Sequence, residues 1–208
     1  MKGMTWFIEG DIRSYFPTIN HNVLMNQIQK RIGDKRILKL ISTGLKAKIF
    51  IKDNKPFTPD IGTPQGGILS PLLSNIYLDE LDKFMEKMIT EYEDQRTSSR
   101  KKRNPIALKL LSQGKKKELY TKRIPYYEAS DSKYIKIRYI RYADDFIVGI
   151  TGSRELTTQI RERIKNFLDS ELKVELSLEK THITHISKGI PFLGYKLSRR
   201  TLIVKQIY

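Results

Sequence analysis

Two aspartates stand side by side in Tyr142-Ala143-Asp144-Asp145, between two apolar runs. The run before them is Tyr134-Ile135-Lys136-Ile137-Arg138-Tyr139-Ile140, and the run after is Phe146-Ile147-Val148-Gly149-Ile150. Both are rich in β-branched and aromatic residues, so the pattern predicts a hairpin with the acidic pair at its tip. Apolar flanks call for burial, whereas two adjacent carboxylates repel each other and resist it. A divalent cation resolves the conflict by becoming the largest local charge. A solvated turn resolves it too, and an Asp-Asp pair read alone is most often that. The apolar flanks favour a buried hairpin whose tip faces a cleft.

Charge narrows the partners. The 208 residues include 39 Lys and Arg against 23 Asp and Glu, a formal charge of +16. This surplus exceeds what solubility needs and points to a polyanion. A phosphate backbone is the first candidate, and an anionic membrane surface the competitor. No apolar run approaches the roughly 20 residues of a spanning helix, and no cleavable signal is read at the start. Cys is absent, which excludes disulfides and thiolate zinc sites. A cytosolic or organelle-matrix protein is expected.

Along the chain, Met4 to Ile12 reads as a buried strand ending in Asp11, and Ser14 to Asn20 as a turn. Helical spacing of Val23, Leu24, Ile28 and Ile32 predicts a helix over 21–32 with Asn20 as its cap. A second helix is expected over 35–47, with Ile37, Leu38, Ile41 and Leu45 inward. Residues 48–59 read as a hairpin turning at Asp53-Asn54. A Gly- and Pro-rich loop, Ile61 to Ile68, leads to Ser70-Pro71, the cap and first position of a long helix. Its apolar face is read as Leu72, Leu73, Ile76, Tyr77, Leu81, Phe84, Met85 and Met88. Residues 91–136 hold 13 Lys and Arg and 6 Asp and Glu. They read as a basic insertion, helical near Ile106 to Leu111, serving either as a solvated loop or as an RNA contact. A helix from Ser153 to Leu172, short strands over 173–176 and 181–186, and a final hairpin through Ile190 to Tyr195 and Leu202 to Val204 complete an α+β order with helices on one sheet face.

Asp11 closes an apolar strand as Asp144 closes another, and such ends meet if their strands are neighbours. Carboxylates so placed can hold two metal ions about 4 Å apart, one activating an attacking oxygen and one stabilising the leaving oxygen. Magnesium suits that use, because it leaves room for substrate phosphates. Asp11 alone would more often be a plain strand end.

The order of five segments carries a resemblance: Asp11-Ile-Arg-Ser-Tyr-Phe16, Gly62-Thr-Pro-Gln-Gly-Gly-Ile-Leu-Ser-Pro-Leu-Leu-Ser-Asn75, Tyr142-Ala-Asp-Asp145, Leu178-Glu-Lys-Thr181 and Phe192-Leu-Gly-Tyr195. They resemble polymerase motifs A to E, and the whole is similar to the reverse transcriptases and maturases encoded by group II introns. The resemblance runs from about residue 6 to 200. It implies a right-hand polymerase palm, an antiparallel sheet backed by helices, with part of the fingers, and the basic insertion inside it. It makes Asp11, Asp144 and Asp145 metal ligands with the Ile12 carbonyl, for two magnesium ions or for manganese. Lys180 becomes the residue that protonates departing pyrophosphate. Arg13, Phe16, Gln65 and Gly66 line the nucleotide pocket, with Phe16 excluding a ribose 2′-hydroxyl. Phe192, Leu193, Gly194 and Tyr195 become a primer grip. Arg100, Lys101, Lys102 and Arg103 become RNA contacts.

The residue types leave plainer roles open: core packing for Phe16 and the grip, an outward salt bridge for Arg13, a surface position for Lys180. The resemblance implies RNA-directed DNA polymerisation in intron mobility, with an RNA template, a DNA primer, deoxynucleoside triphosphates and intron RNA as partners, and no membrane. It places the protein in a mitochondrion or a bacterial cytoplasm, not outside the cell. The N-terminal fingers and the C-terminal thumb and maturase domain of the family are expected to be absent from these 208 residues. The alternative is an RNA-binding maturase without catalysis. A metal-dependent nuclease would leave the Gln-Gly-Gly segment and Phe16 unexplained.

Overall fold

The computed structural model describes residues 3–46, 61–63, 67–94, 102–124, 126–127 and 134–198, and the backbone alone of 49–50, 56–57 and 202–203. Strand β1 (Trp6–Gly10) is followed by helices α1 (Tyr15–Thr18), α2 (His21–Gln29) and α3 (Lys35–Leu45). A small hairpin of β2 (Ile49–Phe50) and β3 (Pro56–Phe57) precedes the long helix α4 (Ser70–Asp94). Short helices α5 (Pro105–Ser112) and α6 (Lys116–Thr121) come next, then strands β4 (Lys136–Tyr142) and β5 (Asp145–Thr151). Helix α7 (Arg154–Phe167) runs on into a π-helical turn, Leu168–Leu172. Strands β6 (His182–His185), β7 (Ile190–Phe192), β8 (Tyr195–Leu197) and β9 (Leu202–Ile203) follow.

The main sheet has the order β4-β5-β1-β6, with every neighbouring pair antiparallel. Side chains alternate across it with the period of a strand. Ile8, Val148 and Ile150 join the larger core, which takes in Leu24 and Ile28 of α2, Tyr77, Leu81 and Met85 of α4, and Ile160 and Ile164 of α7. Phe7 and Ile147 point the other way and pack with Met4, Ile186 and Ile190. Phe192 and Leu197, from a second sheet of order β7-β8-β9, lie against that smaller cluster. The α+β expectation holds, and the face opposite the helices is covered by a small sheet.

The caps follow the side chains the sequence supplies. Asn20 accepts from the Asn22 and Val23 amides, Asp34 from Arg36, and Ser153 from Leu156. Several details differ from expectation. The Ser14 to Asn20 segment contains α1 rather than a turn alone. Lys173 to Leu176 forms no strand beyond a single bridge from Leu176 to Ile12. Leu72 and Ile37 are 58% and 45% exposed. The buried stripe of α4 instead runs through Leu73, Tyr77, Leu78, Leu81, Met85 and Met88, which leaves Leu72 about 100° off it. The expected turn at Asp53-Asn54 lies outside the described residues. Among the described residues no helix is long and apolar enough to cross a membrane.

Candidate active site

Strand β1 is central, and its last residue, Gly10, pairs with Phe146 of β5. One step further along the same register stand Asp11 and Asp145. The Phe146 ring fills the space over Gly10: a Cβ there would lie 2.1 Å from a ring carbon. Glycine is therefore what lets the acidic tip of one strand close on the acidic end of the other. On the opposite side, Asp11 O accepts from the Ser177 amide and Glu175 O from the Arg13 amide, both at 2.9 Å. The Ile12 side chain is buried and its residue bridges to Leu176. Asp11 is thus fixed from both flanks.

The hairpin tip is a two-residue turn, with Tyr142 and Asp145 as the last pair. Ala143 sits at φ 55°, left-handed backbone that a non-glycine residue adopts at a cost of about 1 kcal/mol. Arg141 holds it there. Its Nη1 donates to the Ala143 carbonyl at 2.9 Å and to Asn75 Oδ1 at 3.1 Å. Its Nε and Nη2 grip Asp82 of α4 in a bidentate pair, and Tyr139 donates to the same carboxylate at 2.8 Å. The Arg141 side chain is only 11% exposed. Burial, then the Asp82 charge, raises the Tyr139 phenol well above its usual range, so it stays a donor. Helix α4 thereby aims the turn.

Asp145 feels both of the other aspartates. Partial burial first, then the charges of Asp144 and Asp11, raises the Asp145 carboxyl above its ordinary value, while Lys180 pulls it down. Lys180 Nζ lies 3.4 Å from Asp11 Oδ2, too long for a good hydrogen bond, and that oxygen is buried without a hydrogen-bond partner. Among the described residues no group of three or more histidines, aspartates or glutamates is placed to hold a metal ion; the Lys180 ammonium is the cation beside Asp11. Asp144 also reaches Tyr15, whose buried phenol is raised mainly by desolvation and which donates to Ser74 O at 2.8 Å.

A second loop is tied to this corner. Gly62 N donates to Ile19 O at 2.7 Å and Thr63 N to Phe16 O at 2.9 Å. The buried His21 donates from Nε2 to Gly62 O at 2.6 Å. Gly62 has φ +88°, and a Cβ there would stand 2.7 Å from Pro17 O. The start of the Gly-rich loop is therefore fastened to the segment after Asp11. Phe16 is half-buried against the edge of the core, its ring 5.4 Å from that of Tyr15. Gln65 and Gly66 lie outside the described residues.

The remaining expected residues are scattered. Arg13 pairs with Glu175 at 3.4 Å, both side chains exposed, which is the outward salt bridge. Phe192 and Tyr195 flank the β7–β8 turn, where Leu193 and Gly194 both have positive φ, the pattern of a tight type I′ hairpin. Lys102 and Arg103 are exposed on the insertion, and Arg100 and Lys101 lie outside the described residues. A groove of about 730 Å³ beside β6 is lined by Arg154, Arg161, Thr181 and His182 among others, and by none of the three aspartates. Sequence reasoning missed Arg141, Asp82 and His21. An Arg three residues before Asp-Asp in a strand was a signal for the first. Nothing local marked the other two, whose partners lie 59 and 41 residues away.

Comparison with known proteins gives a consistent result. A family model described as "Reverse transcriptase (RNA-dependent DNA polymerase)" matches residues 1–197. The chain is 39% identical over 224 residues to the "Group II intron-encoded protein LtrA" of Lactococcus lactis subsp. cremoris, covering 98% of this chain and 37% of that protein. It is 29% identical to "Nuclear intron maturase 1, mitochondrial" of Arabidopsis thaliana, covering 96% of this chain and 34% of the other. The chain thus spans little more than a third of these relatives. In fold it is similar to a Candida tropicalis telomerase solved with a fragment of telomeric RNA, with a TM-score of 0.57 at 16% identity, over 100% of this chain and 30% of that one.

Proposed function

Because the chain belongs to the reverse transcriptase family, we propose that it carries the nucleotidyl-transfer site of a group II intron-encoded protein. On this reading it extends a DNA primer with deoxynucleotides along an RNA template during intron mobility, and takes part in splicing the intron RNA. Residues 1–208 then form the palm with part of the fingers, and 91–136 an insertion within it. The setting is a mitochondrion or a bacterial cytoplasm, as the sources of the relatives suggest. The observation that supports the proposal is that β1, ending at Asp11, pairs with β5, which starts at Asp145, and that the Asp145 carboxyl feels the charges of both Asp144 and Asp11.

The donor types suit a hard divalent cation, while the side chains as they stand form no group of three ligands among the described residues. The donors are carboxylates, one oxygen of Asp11 is buried without a hydrogen bond, and burial together with the charges of Asp144 and Asp11 raises Asp145. Asp11, Asp144 and Asp145, with the Ile12 carbonyl, would hold magnesium, or manganese in its place. Bound there, the metal supplies Lewis-acid polarisation of phosphate oxygens and a lowered pKa for the attacking hydroxyl. The chain's own residues do the rest. The Asp11 and Asp144 carboxylates draw cations to the corner and orient them. Lys180 holds a proton on Nζ beside Asp11 and passes it to the leaving pyrophosphate. Phe16 crowds the position of a ribose 2′-hydroxyl and so selects deoxynucleotides. Arg13 exchanges Glu175 for the triphosphate, and the Phe192 to Tyr195 turn presses on the primer.

The test is primer extension on an RNA template, with this chain grafted in place of the matching segment of a longer relative. DNA synthesis that disappears in Asp144→Ala, while RNA binding persists, supports the proposal. Full synthesis by Asp144→Ala refutes it. A second reading, a splicing factor without polymerase chemistry, is favoured by the charge of the insertion. Splicing by a graft that never makes DNA would select it.

A further inference from the structure

The described part of the insertion folds on its own small core. Helices α5 and α6 pack together around Ala107 and Leu119, both fully buried. The two ends of the segment are joined: Arg103 bridges to Tyr127, and Asn104 N donates to Tyr126 O at 3.0 Å. Asn104 also caps α5 by accepting from Ile106 N. This closure leaves a slot of about 250 Å³ lined by Arg103, Ala107, Leu108, Leu111, Tyr126 and Tyr127.

Its lining is apolar and aromatic with one guanidinium. Its size falls below the roughly 300–1,000 Å³ of pockets that take drug-sized ligands, which is the scale of a single planar ring system. Tyr126 is braced, because its hydroxyl meets that of Tyr120 at 3.3 Å with the rings edge-on. A ring held in advance loses little side-chain entropy when a ligand stacks on it. The surroundings are strongly cationic: residues 102–127 hold eight Lys and Arg against one acidic residue, Glu118, which is paired with Lys122. An apolar slot in so cationic a segment, with Arg103 at its wall, matches an unpaired nucleotide, whose base stacks on aromatic rings while its phosphates meet cations. Duplex RNA keeps its bases stacked inside and has nothing to place there.

We propose that this slot takes one unstacked base of single-stranded RNA, with Arg103 and other cations of the segment on the neighbouring phosphates. The inference rests on the reading that the chain works on RNA. The test is binding of the chain to a single-stranded RNA oligomer carrying one 2-aminopurine, followed by anisotropy and fluorescence across a salt series. Tyr127→Ala and Leu108→Trp, which removes one wall and fills the slot respectively, should each weaken binding about tenfold. Both should abolish the fluorescence quenching and leave the salt slope unchanged, because the same phosphates stay neutralised. Tyr127→Phe should bind as the unmodified chain does. Unchanged affinity and quenching in both variants, in a chain that still binds RNA, would overturn the slot and leave the polymerase reading intact. No RNA binding at all would overturn both. Equal affinity for duplex RNA, or for polyglutamate of matched charge, would overturn the slot as well.

Discussion

Gly10 and Phe146 show how little freedom the acidic corner has. A methyl at position 10 would meet the ring at 2.1 Å with its neighbours packed. Gly10→Ala should therefore cost about 1–3 kcal/mol in chemical denaturation, an overpacking effect. Phe146→Leu in the same chain should recover part of it, since the two changes share one space. Asp145 behaves in the opposite sense. Partial burial and the charges of Asp144 and Asp11 raise its folded pKa, so the native state holds its proton more tightly than the unfolded chain. Stability from that proton is full below the ordinary carboxylate pKa and lost as pH rises through the raised value. Asp145→Asn should thus raise the thermal midpoint at pH 7 in the presence of a chelator and change it little at pH 3. An equal shift at both pH values would mean that charge is not the cause. His21→Ala leaves the buried Gly62 carbonyl without its donor, which should cost about 1–3 kcal/mol by the same denaturation measurement.

Between elements, the clamp from α4 to the hairpin tip bears most on the site. Arg141→Ala leaves Asp82 half-buried with only Tyr139 beside it, and breaking such a pair costs about 3 kcal/mol. Arg141→Lys should recover little of this in thermal unfolding, because an ammonium cannot reproduce the planar bidentate grip together with the hydrogen bond to Ala143. Full rescue by Lys would show that charge alone matters. Elements of this kind were legible in the sequence where their signals are local. Asn20 and Ser153 capped the helices they were expected to cap, and the apolar runs around Asp144-Asp145 became β4 and β5. Signals that depend on a distant partner were not legible. Leu72 and Leu78 exchanged places because the facing surface, not the helix, decides which stripe is buried. Helix α6 went unread because its lysine run masks a single inward residue, Leu119.

At the scale of the molecule, the sequence carried the order of motifs and the surplus of charge, and both are consistent with the RNA partner proposed above. The pairing of β1 with β5 could be inferred only from the resemblance, since composition says nothing about which strands are neighbours. Yet that pairing is what brings residues 11 and 145 together, 134 positions apart in the chain. The +16 charge should make RNA affinity fall steeply as salt rises. Neutralising Lys115, Lys116 and Lys117 should reduce the log–log salt slope by up to roughly 2–2.7, about 0.7–0.9 for each phosphate that no longer meets a cation. The most direct measurement of the central claim is manganese binding to the chain by electron paramagnetic resonance, comparing Asp11→Asn, Asp144→Asn and the double variant. If the two strand ends form one site, each single variant loses the bound signal and the double variant adds nothing further. Undiminished manganese binding by Asp11→Asn would contradict it.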